Sequence, residues 1–559
     1  MRSLMTCFLL VLLVLMPSMI ASAQSTEATV PPAEPSAGNT PSGTTTSPAA
    51  TKEEVEQLRK KVAAQEQTIE QLKTMVQQLV DSKTQPVSGN PASDGAATLQ
   101  EASVTTPAPA NTRMIKLTFP SETGNPEDAL VMLQKAPDKN APAPLSTAGW
   151  NGEHFFLRSP DGQFTLLPLG YLNANYSWYV SGDGAPPNTF TVRRARFGFL
   201  GTYGSKVDYA FLFDAANTAS NGIAIRDMYV NFKPWTQFQV QAGQFKEPFS
   251  QEIGMGITNV EFLERSLVTV LYPSASGVFR APGVAAHGDI DGGVMQYWAG
   301  IFNGKGIAAN NTTDEPEFVG RLRFTPWRKS KDTFLLKGLS FGGSYAHGRS
   351  RGLTPTELSF SGTTNDGAFT WFPQFRINGA TNRYNGEFLF LRGRYGLRGE
   401  YTQILQRRDD VGSLTPGGIG FLNLPGVVGK GAYLYTTYLL TGEKEPENAI
   451  PRVKHPVIGP PTPGVDGSSP GWGAWQLKFR YSWIEGKAGG QEFASQFTPA
   501  SVPPFSAHTD QFSMGVNWYL NYWILLKLDL NIDRLRNPSV QGVLPQNYYV
   551  AVQGLQFRF

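Results

Sequence analysis

The sequence predicts an all-β fold: a ~16-stranded antiparallel transmembrane β-barrel, preceded by an N-terminal coiled-coil helix and disordered linkers. Three observations predict it. From about Phe155 to Phe559, segments of roughly ten residues alternate apolar and polar side chains, separated by Gly, Asn, Asp or Pro clusters. The apolar face of these segments is heavily aromatic and the polar face carries bulky charges, a combination expected where strands meet membrane interfaces. The chain ends on Phe559, with Leu555 and Phe557 on the same face.

Composition agrees. The 559 residues include 58 Gly, 35 Phe, 20 Tyr and 11 Trp with only 17% charge, which suits strands joined by tight turns. A formal net charge of +3 argues against a nucleic-acid partner, which needs a basic excess or a dense basic stripe. Mean hydropathy is −0.25, and past residue 23 no apolar run approaches the ~20 residues of a membrane-crossing helix.

The elements follow in order. Arg2, the apolar run Phe8–Met16 and Ala21-Ser22-Ala23 read as a signal peptide over 1–23, which carries away the single cysteine, Cys7. Removing Arg2 from the 48 basic residues leaves 47 against 45 acidic. Residues 24–51 are rich in Pro, Ser, Thr and Ala, too polar to offset chain entropy, and are expected to be a disordered linker. Over 52–83 a heptad appears, with Val55, Val62, Ile69 and Val76 at a and Leu58, Gln65, Leu72 and Leu79 at d. This predicts an oligomeric coiled coil ~37 Å long, nominally two-stranded. Residues 84–150 are again mostly linker, with Arg113–Phe119 a possible short strand. The barrel is expected over 151–559.

Within it, Ala195, Phe197 and Phe199 face one side, and Arg194, Arg196 and Gly198 the other. Phe318, Leu322 and Phe324 alternate with Arg321 and Arg323. Leu389, Leu391, Tyr395, Leu397 and Tyr401 are read against Arg392, Arg394, Arg398 and Glu400. Leu477, Phe479 and Tyr481 alternate with Gln476, Lys478 and Arg480. In hydrocarbon every peptide group must be bonded internally, so such a sheet has to close. About 405 residues at roughly 25 per strand and connection give ~16 strands, enough to enclose water. The polar faces then line a pore.

Several stretches resemble the phosphate-selective porin O and P family: VRRARFGFLGTYGSKVDYAFLFD (192–214), QAGQFKEPFSQE (241–252), FLERS (262–266), GAYLYTTYLLTGE (431–443), GAWQLKFRYSWIE (473–485) and MGVNWYLN (514–521). The resemblance implies a trimeric, 16-stranded outer-membrane barrel embedded in lipid, and hence a three-stranded coiled coil on its periplasmic side. It also implies that the irregular segment after QFKEPFS folds into the barrel and narrows it, with Lys246, Arg265 and Arg280 near the narrowing and Glu264 as their partner. Along the wall, Arg194, Arg196, Arg321, Arg323, Arg392, Arg394, Arg398, Lys478 and Arg480 would form basic ladders offering donors to phosphate or carboxylate oxygens. The alternative is that neighbouring acids such as Asp208, Asp214 or Glu400 neutralise them. With Glu247, Glu252, Glu261 and Glu264 close to the narrowing and no dense lysine cluster, the expected channel passes small anions such as phosphate broadly. The coiled coil either reaches the peptidoglycan or reinforces the trimer.

Other chemistries have weaker support. Gly467-Ser468-Ser469-Pro470-Gly471 matches a nucleophile elbow without its strand-to-helix setting. His154, His287, His347, His455 and His508 show no metal-ligand spacing, and there is no P-loop, so no metal or cofactor is expected. A barrel enzyme of lipase or protease type, pairing a Ser with His508 or His347, and a purely structural tether to the cell wall are the competing functions.

Overall fold

The computed structural model describes residues 147–559 apart from 182–184, 217–221, 273–278, 351–358, 361, 416–417, 490–504 and 537–545. The expected signal peptide and coiled coil, the Arg113–Phe119 segment and nearly all linker residues lie outside the described residues.

A short hairpin comes first. Strand β1 (Ala148–Trp150) pairs with β2 (Phe155–Arg158), and β2 pairs briefly with β3 (Phe164–Ser181). Next come β4 (Thr189–Tyr203), β5 (Val207–Asp214), β6 (Ala224–Trp235), β7 (Phe238–Lys246), β8 (Arg280–Ile290) and β9 (Met295–Phe302). They are followed by β10 (Glu317–Phe324), β11 (Leu339–Ser350), β12 (Gly379–Arg392), β13 (Tyr395–Thr415) and β14 (Gly418–Leu439). The last are β15 (Ala474–Ala488), β16 (Phe505–Tyr519), β17 (Ile524–Arg536) and β18 (Gln546–Arg558). From β3 onward each strand pairs antiparallel with the next, and β18 pairs antiparallel with β3, closing a 16-strand barrel.

The seam explains the terminal phenylalanine. Phe559 N–H donates to the Gly170 carbonyl at 3.1 Å, and Gly170 N–H donates back at 3.2 Å. The Phe559 ring occupies the space of a Gly170 side chain: a Cβ there would lie 2.3 Å from the ring. The last residue thus caps the ladder that closes the sheet, leaving no open edge in the membrane.

Along the strands, alternation sorts side chains as membrane physics demands. On β15, Leu477 and Phe479 are exposed outside while Gln476, Lys478 and Arg480 are buried inside. On β18, Tyr549, Leu555 and Phe557 face out, and Val550 and Gln556 face in. On β10, Phe318, Leu322 and Phe324 face out and Arg321 in. One expected face is corrected. A tight turn at Gly393-Arg394 separates β12 from β13 and resets the alternation. Leu389 is therefore an interior residue, 2% exposed, on the same face as Glu387, Asn385 and Arg383, while Tyr384 faces out. Arg392 and Arg394 sit at the turn, not on a continuous face with Arg398.

Tight connections such as 204–206, 236–237 and 393–394 lie at one end of the barrel, together with the longer segment 440–473; the connections from β7 to β8 and from β11 to β12 leave the other. Short turns face the periplasm in such barrels, which puts the long loops outside. At the turn end, segment 440–473 packs Ile450 and Val453 against Tyr519, Tyr522 and Leu525.

The interior is not all water. Phe360, Phe369, Trp371, Phe372 and Phe375, between β11 and β12, pack on Leu267, Leu271, Ile404, Val427 and Ile484 in one apolar cluster. Inward-facing glycines make room for them: a Cβ at Gly429 would lie 2.7 Å from Phe360, and one at Gly486 2.7 Å from Phe372. Part of the lumen beside β13–β15 is thus filled by a loop, a feature the alternation pattern does not reveal.

Candidate functional site

The described part of the connection that follows β7, residues 247–272, enters the barrel. It starts with a single helical turn, α1 (Gln251–Gly254), whose Ile253 N–H donates to the Ser250 hydroxyl at 3.2 Å. Glu252 then folds the loop on itself: its carboxylate accepts from Ser266 N–H at 2.9 Å and from the Ser266 hydroxyl at 2.6 Å. A 3-10 turn, Leu267–Leu271, anchors the return in the apolar cluster.

Between these anchors, residues 255–264 are irregular, so their peptide groups lack ladder partners and must be satisfied otherwise. Long wall side chains satisfy them. Gln556 donates to the Thr258 carbonyl at 2.9 Å and Lys527 to that of Val260 at 2.6 Å. Lys478 and Asn517 both donate to the Glu261 carbonyl, at 2.8 and 3.0 Å. Arg194 reaches the Leu263 carbonyl at 3.3 Å, and Arg480 that of Glu264 at 3.0 Å. In return, Asp529 accepts from Leu263 N–H and Glu400 from Glu252 N–H, both at 2.7 Å. The loop is thereby strapped across the lumen to β4, β13, β15, β16, β17 and β18.

Ion pairs complete the strapping. Arg398, 1% exposed, binds Glu261 at 2.8 Å, and the Tyr435 hydroxyl donates to the same carboxylate at 3.0 Å. Lys478 pairs with Asp529. Arg321 pairs with Glu387 at 2.6 Å, and Arg323 with Glu447. Arg196 binds Asp214 at 3.0 Å. The expected ladder is therefore largely committed: its cations hold the loop or pair with carboxylates. Arg392 instead donates to the Phe334 carbonyl at 2.6 Å, and Arg394 is exposed in the turn.

Of the residues expected at the narrowing, Lys246, Arg265 and Arg280 come together, whereas Glu264, expected as their partner, pairs with Arg193 and Arg194 instead. Lys246 and Arg265 converge on one oxygen, the Met255 carbonyl, at 2.6 and 2.7 Å. Arg265 also donates to the Glu252 carbonyl at 3.0 Å. Arg280, opposite Lys246 in the β7–β8 ladder, forms a two-pronged pair with Asp227, both bonds 2.8 Å. Glu264 is gripped by Arg193 and Arg194, each at 2.8 Å.

Two arginines of this neighbourhood escape alternation. The β3–β4 register slips between Asn173 and Ala174, so both Arg193 and Arg194 reach Glu264. The β5–β6 register slips between Leu212 and Phe213, and Arg226 reaches Asp214 at 3.0 Å while its neighbour Asp227 holds Arg280. A bulge adds one residue to one strand and re-aims a side chain, and nothing in the sequence marks either bulge.

Electrostatics follow from this crowding. Burial alone would raise the Glu264 carboxyl, but the Arg193 and Arg194 guanidiniums overcome it and hold the group at about 2. Burial pulls Arg265 down to about 10; Glu252 opposes this, while Arg194, Arg196 and Arg280 add to it. At neutral pH Glu264 and Arg265 are therefore both charged. Around the loop Arg193, Arg194, Arg196, Arg226, Arg265 and Arg280 outnumber the carboxylates they meet, Asp214, Asp227, Glu252 and Glu264. Among the described residues no His, Cys, Asp and Glu cluster could hold a metal ion.

Comparison with known proteins bears on this site. The phosphate-selective porin O and P family matches residues 172–559. Among solved structures, the chain is similar to a loop L8 deletion mutant of OmpT, an outer membrane protein of Vibrio cholerae: 11% identity, 71% of this chain and 100% of that chain, TM-score 0.43. It is also similar to OmpF of Salmonella typhi in complex with daunomycin: 11% identity, 74% and 100% covered, TM-score 0.42. A third is the outer membrane channel DcaP of Acinetobacter baumannii: 10% identity, 72% and 99% covered, TM-score 0.39. No curated protein matches.

Proposed function

The chain belongs to the phosphate-selective porin O and P family, and on that premise we propose that it is a trimeric outer-membrane channel through which small anions, phosphate among them, diffuse passively. The observation that supports anion preference is the excess of arginines over carboxylates around the inward loop, with Arg265 bonded to peptide carbonyls. Transport needs no catalytic group. It needs binding favourable enough to admit the ion and weak enough to release it. Carboxylates already engage Arg194, Arg196, Arg226 and Arg280. Each donor therefore offers a passing anion only part of its charge, which suits throughput over a broad set of anions better than a tight phosphate trap. Arginine forks match two oxygens of a phosphate or carboxylate at once. The heptads of 52–83, nominally two-stranded, would form a three-stranded coiled coil in a trimer of the kind the family implies, lying in the periplasm and reinforcing the trimer or reaching the peptidoglycan.

The test is single-channel recording of the full chain in planar bilayers under chloride, phosphate and a dicarboxylate. Conductance should appear in steps of three, with reversal potentials favouring the anions over potassium. Cation preference would overturn the anion reading, and absence of conductance would leave a structural tether.

A further inference from the structure

The outer surface of the barrel carries one polar patch that neither the pore nor the lipid-facing band accounts for. On β17 the outward side chains Ile524, Leu526, Leu528, Leu530 and Ile532 are aliphatic, and the next two, Arg534 and Arg536, are arginines. The aliphatic run covers ~27 Å of strand at 3.3 Å per residue, or ~20 Å of height at a ~40° tilt. Both arginines therefore stand just beyond the acyl region on the loop side. Their neighbours are in strict register: Lys430 lies opposite Glu485, Glu485 opposite His508, and His508 opposite Arg536. One row of ionisable side chains thus crosses β14, β15, β16 and β17.

Within the patch, carboxylates are shared. Glu485 accepts from Lys430 at 3.1 Å and Lys487 at 2.6 Å, and Asp510 accepts from Arg536 at 3.0 Å and His508 at 3.1 Å. Arg534 has no carboxylate partner among the described residues; its guanidinium lies over the Phe512 ring at 4.9 Å. Lys430, Lys487, Arg534 and Arg536 leave a positive excess over Glu485 and Asp510. Arg536 is 59% and Lys487 57% exposed at the side chain, so their donors are accessible. Trp483 stacks on His508 at 6.0 Å, supplying an aromatic anchor at the same level.

We propose that this patch on β14–β17 binds the phosphorylated headgroup of an outer-leaflet lipid, with the acyl chains lying on the aliphatic surface below Arg534. Charge complementarity and depth argue for it together. The cations sit where lipid phosphates lie, and beneath them is a continuous apolar wall that a soluble anion would not use. Phosphate oxygens accept forked donors from Arg534 and Arg536 while Lys487 adds a point charge.

The test uses the full chain in phosphatidylcholine nanodiscs containing a minor share of phosphatidic acid, with native mass spectrometry counting the lipid retained. Phosphatidic acid should be enriched over phosphatidylcholine. Lys487→Gln should lower its retention about fivefold at low salt, the factor expected for one cation near an anionic lipid surface; a combined R534Q/R536Q change should lower it further. Arg349→Gln, an exposed arginine on β11 far from the patch in the strand order, should leave retention unchanged. Excess inorganic phosphate should leave the lipid bound; its complete displacement would assign the site to free phosphate and overturn the proposal. So would equal retention of the two lipids, or equal loss in Arg349→Gln.

Discussion

Replacing Arg265 by Gln should weaken anion preference about fivefold. Most cations at the narrowing touch a carboxylate: Arg280 has Asp227, Arg194 has Glu264, and Arg196 and Arg226 share Asp214. Arg265 differs. Its bonds go to the Glu252 and Met255 carbonyls, which orient the guanidinium without cancelling its charge. Burial and nearby guanidiniums lower it only to about 10, so it is charged throughout the neutral range. A unit charge ~4 Å from a passing anion is worth about 1 kcal/mol in water and ~4 kcal/mol at an effective dielectric of 20. The lower value, taken as the minimum effect, corresponds to a factor of about five. The assay is the reversal potential across a salt gradient, read as an anion-to-cation permeability ratio. Arg265→Lys keeps the charge and loses the fork, so it should keep most of the ratio. The difference between Gln and Lys should shrink as salt rises, because the screening length falls from ~10 Å at 0.1 M to ~3 Å at 1 M. An unchanged ratio in Arg265→Gln, or an equal loss in both variants, would show that Arg265 does not act on the ion by its charge.

Other expected outcomes concern the frame around the channel. Gly170→Val puts carbon into the Phe559 ring and should destabilise the closure seam by about 1–3 kcal/mol in urea unfolding, whereas Gly386→Ala, with nothing within 4 Å of the new Cβ, should be near neutral. Glu261→Ala leaves the buried Arg398 with Glu445, 3.9 Å away, as its remaining paired carboxylate among the described residues and should cost about 3 kcal/mol in the same assay. Phe372→Ala removes a ring packed on Gly486 and should raise single-channel conductance; an unchanged value would mean that the ion path avoids the apolar cluster. The N-terminal hairpin should respond to pH. Burial raises Glu153 to about 7, with Arg452, Tyr522 and Arg558 opposing. A carboxyl raised in the folded state binds its proton there more readily than in the free chain. Its contribution to docking is therefore full below about 4.5 and lost as pH rises through about 7. Hydrogen exchange of 147–158 should accelerate over that window, and Glu153→Gln should flatten the response.

How far the sequence reveals this architecture depends on the kind of pattern involved. Period-two alternation survives in β4, β10, β15 and β18, where Phe197, Leu322, Phe479 and Leu555 face out as read. It fails where one residue changes the count. The turn at Gly393-Arg394 looks, in sequence, like two more residues of a strand, so Leu389 and Arg392 are assigned to the wrong faces. The bulges beside Arg193 and Arg226 are equally silent, because an extra residue is defined only against its partner strand. Lys246, Arg265 and Arg280 were legible as a group through family resemblance, not through periodicity, but the partners of Glu264, Arg193 and Arg194, were not. The inward packing of 359–378 had an aromatic signal, AFTWFPQF, but aromatic residues are equally common on the outer face. Only the complementary glycines, Gly429 and Gly486, mark where the rings go, and they lie on β14 and β15, far along the chain.

The same physical need explains why a basic wall is not by itself a selectivity filter. A loop folded into a barrel brings peptide carbonyls that have no strand to pair with. Carbonyls need donors, and long Lys and Arg side chains reach furthest from a rigid wall. Lys478, Lys527, Arg194 and Arg480 meet that need at Glu261, Val260, Leu263 and Glu264. Arg194 and Arg480 bring charge into the lumen with those bonds, and the loop's carboxylates Glu252 and Glu264 offset part of it. Anchoring therefore consumes most of the charge that alternation places inside. What remains uncancelled collects where cations meet carbonyls instead of carboxylates, beside Met255. Selectivity should accordingly follow substitutions at Arg265 more closely than at Arg321 or Arg398, whose loss frees Glu387 or Glu261 and disturbs the fold along with the field.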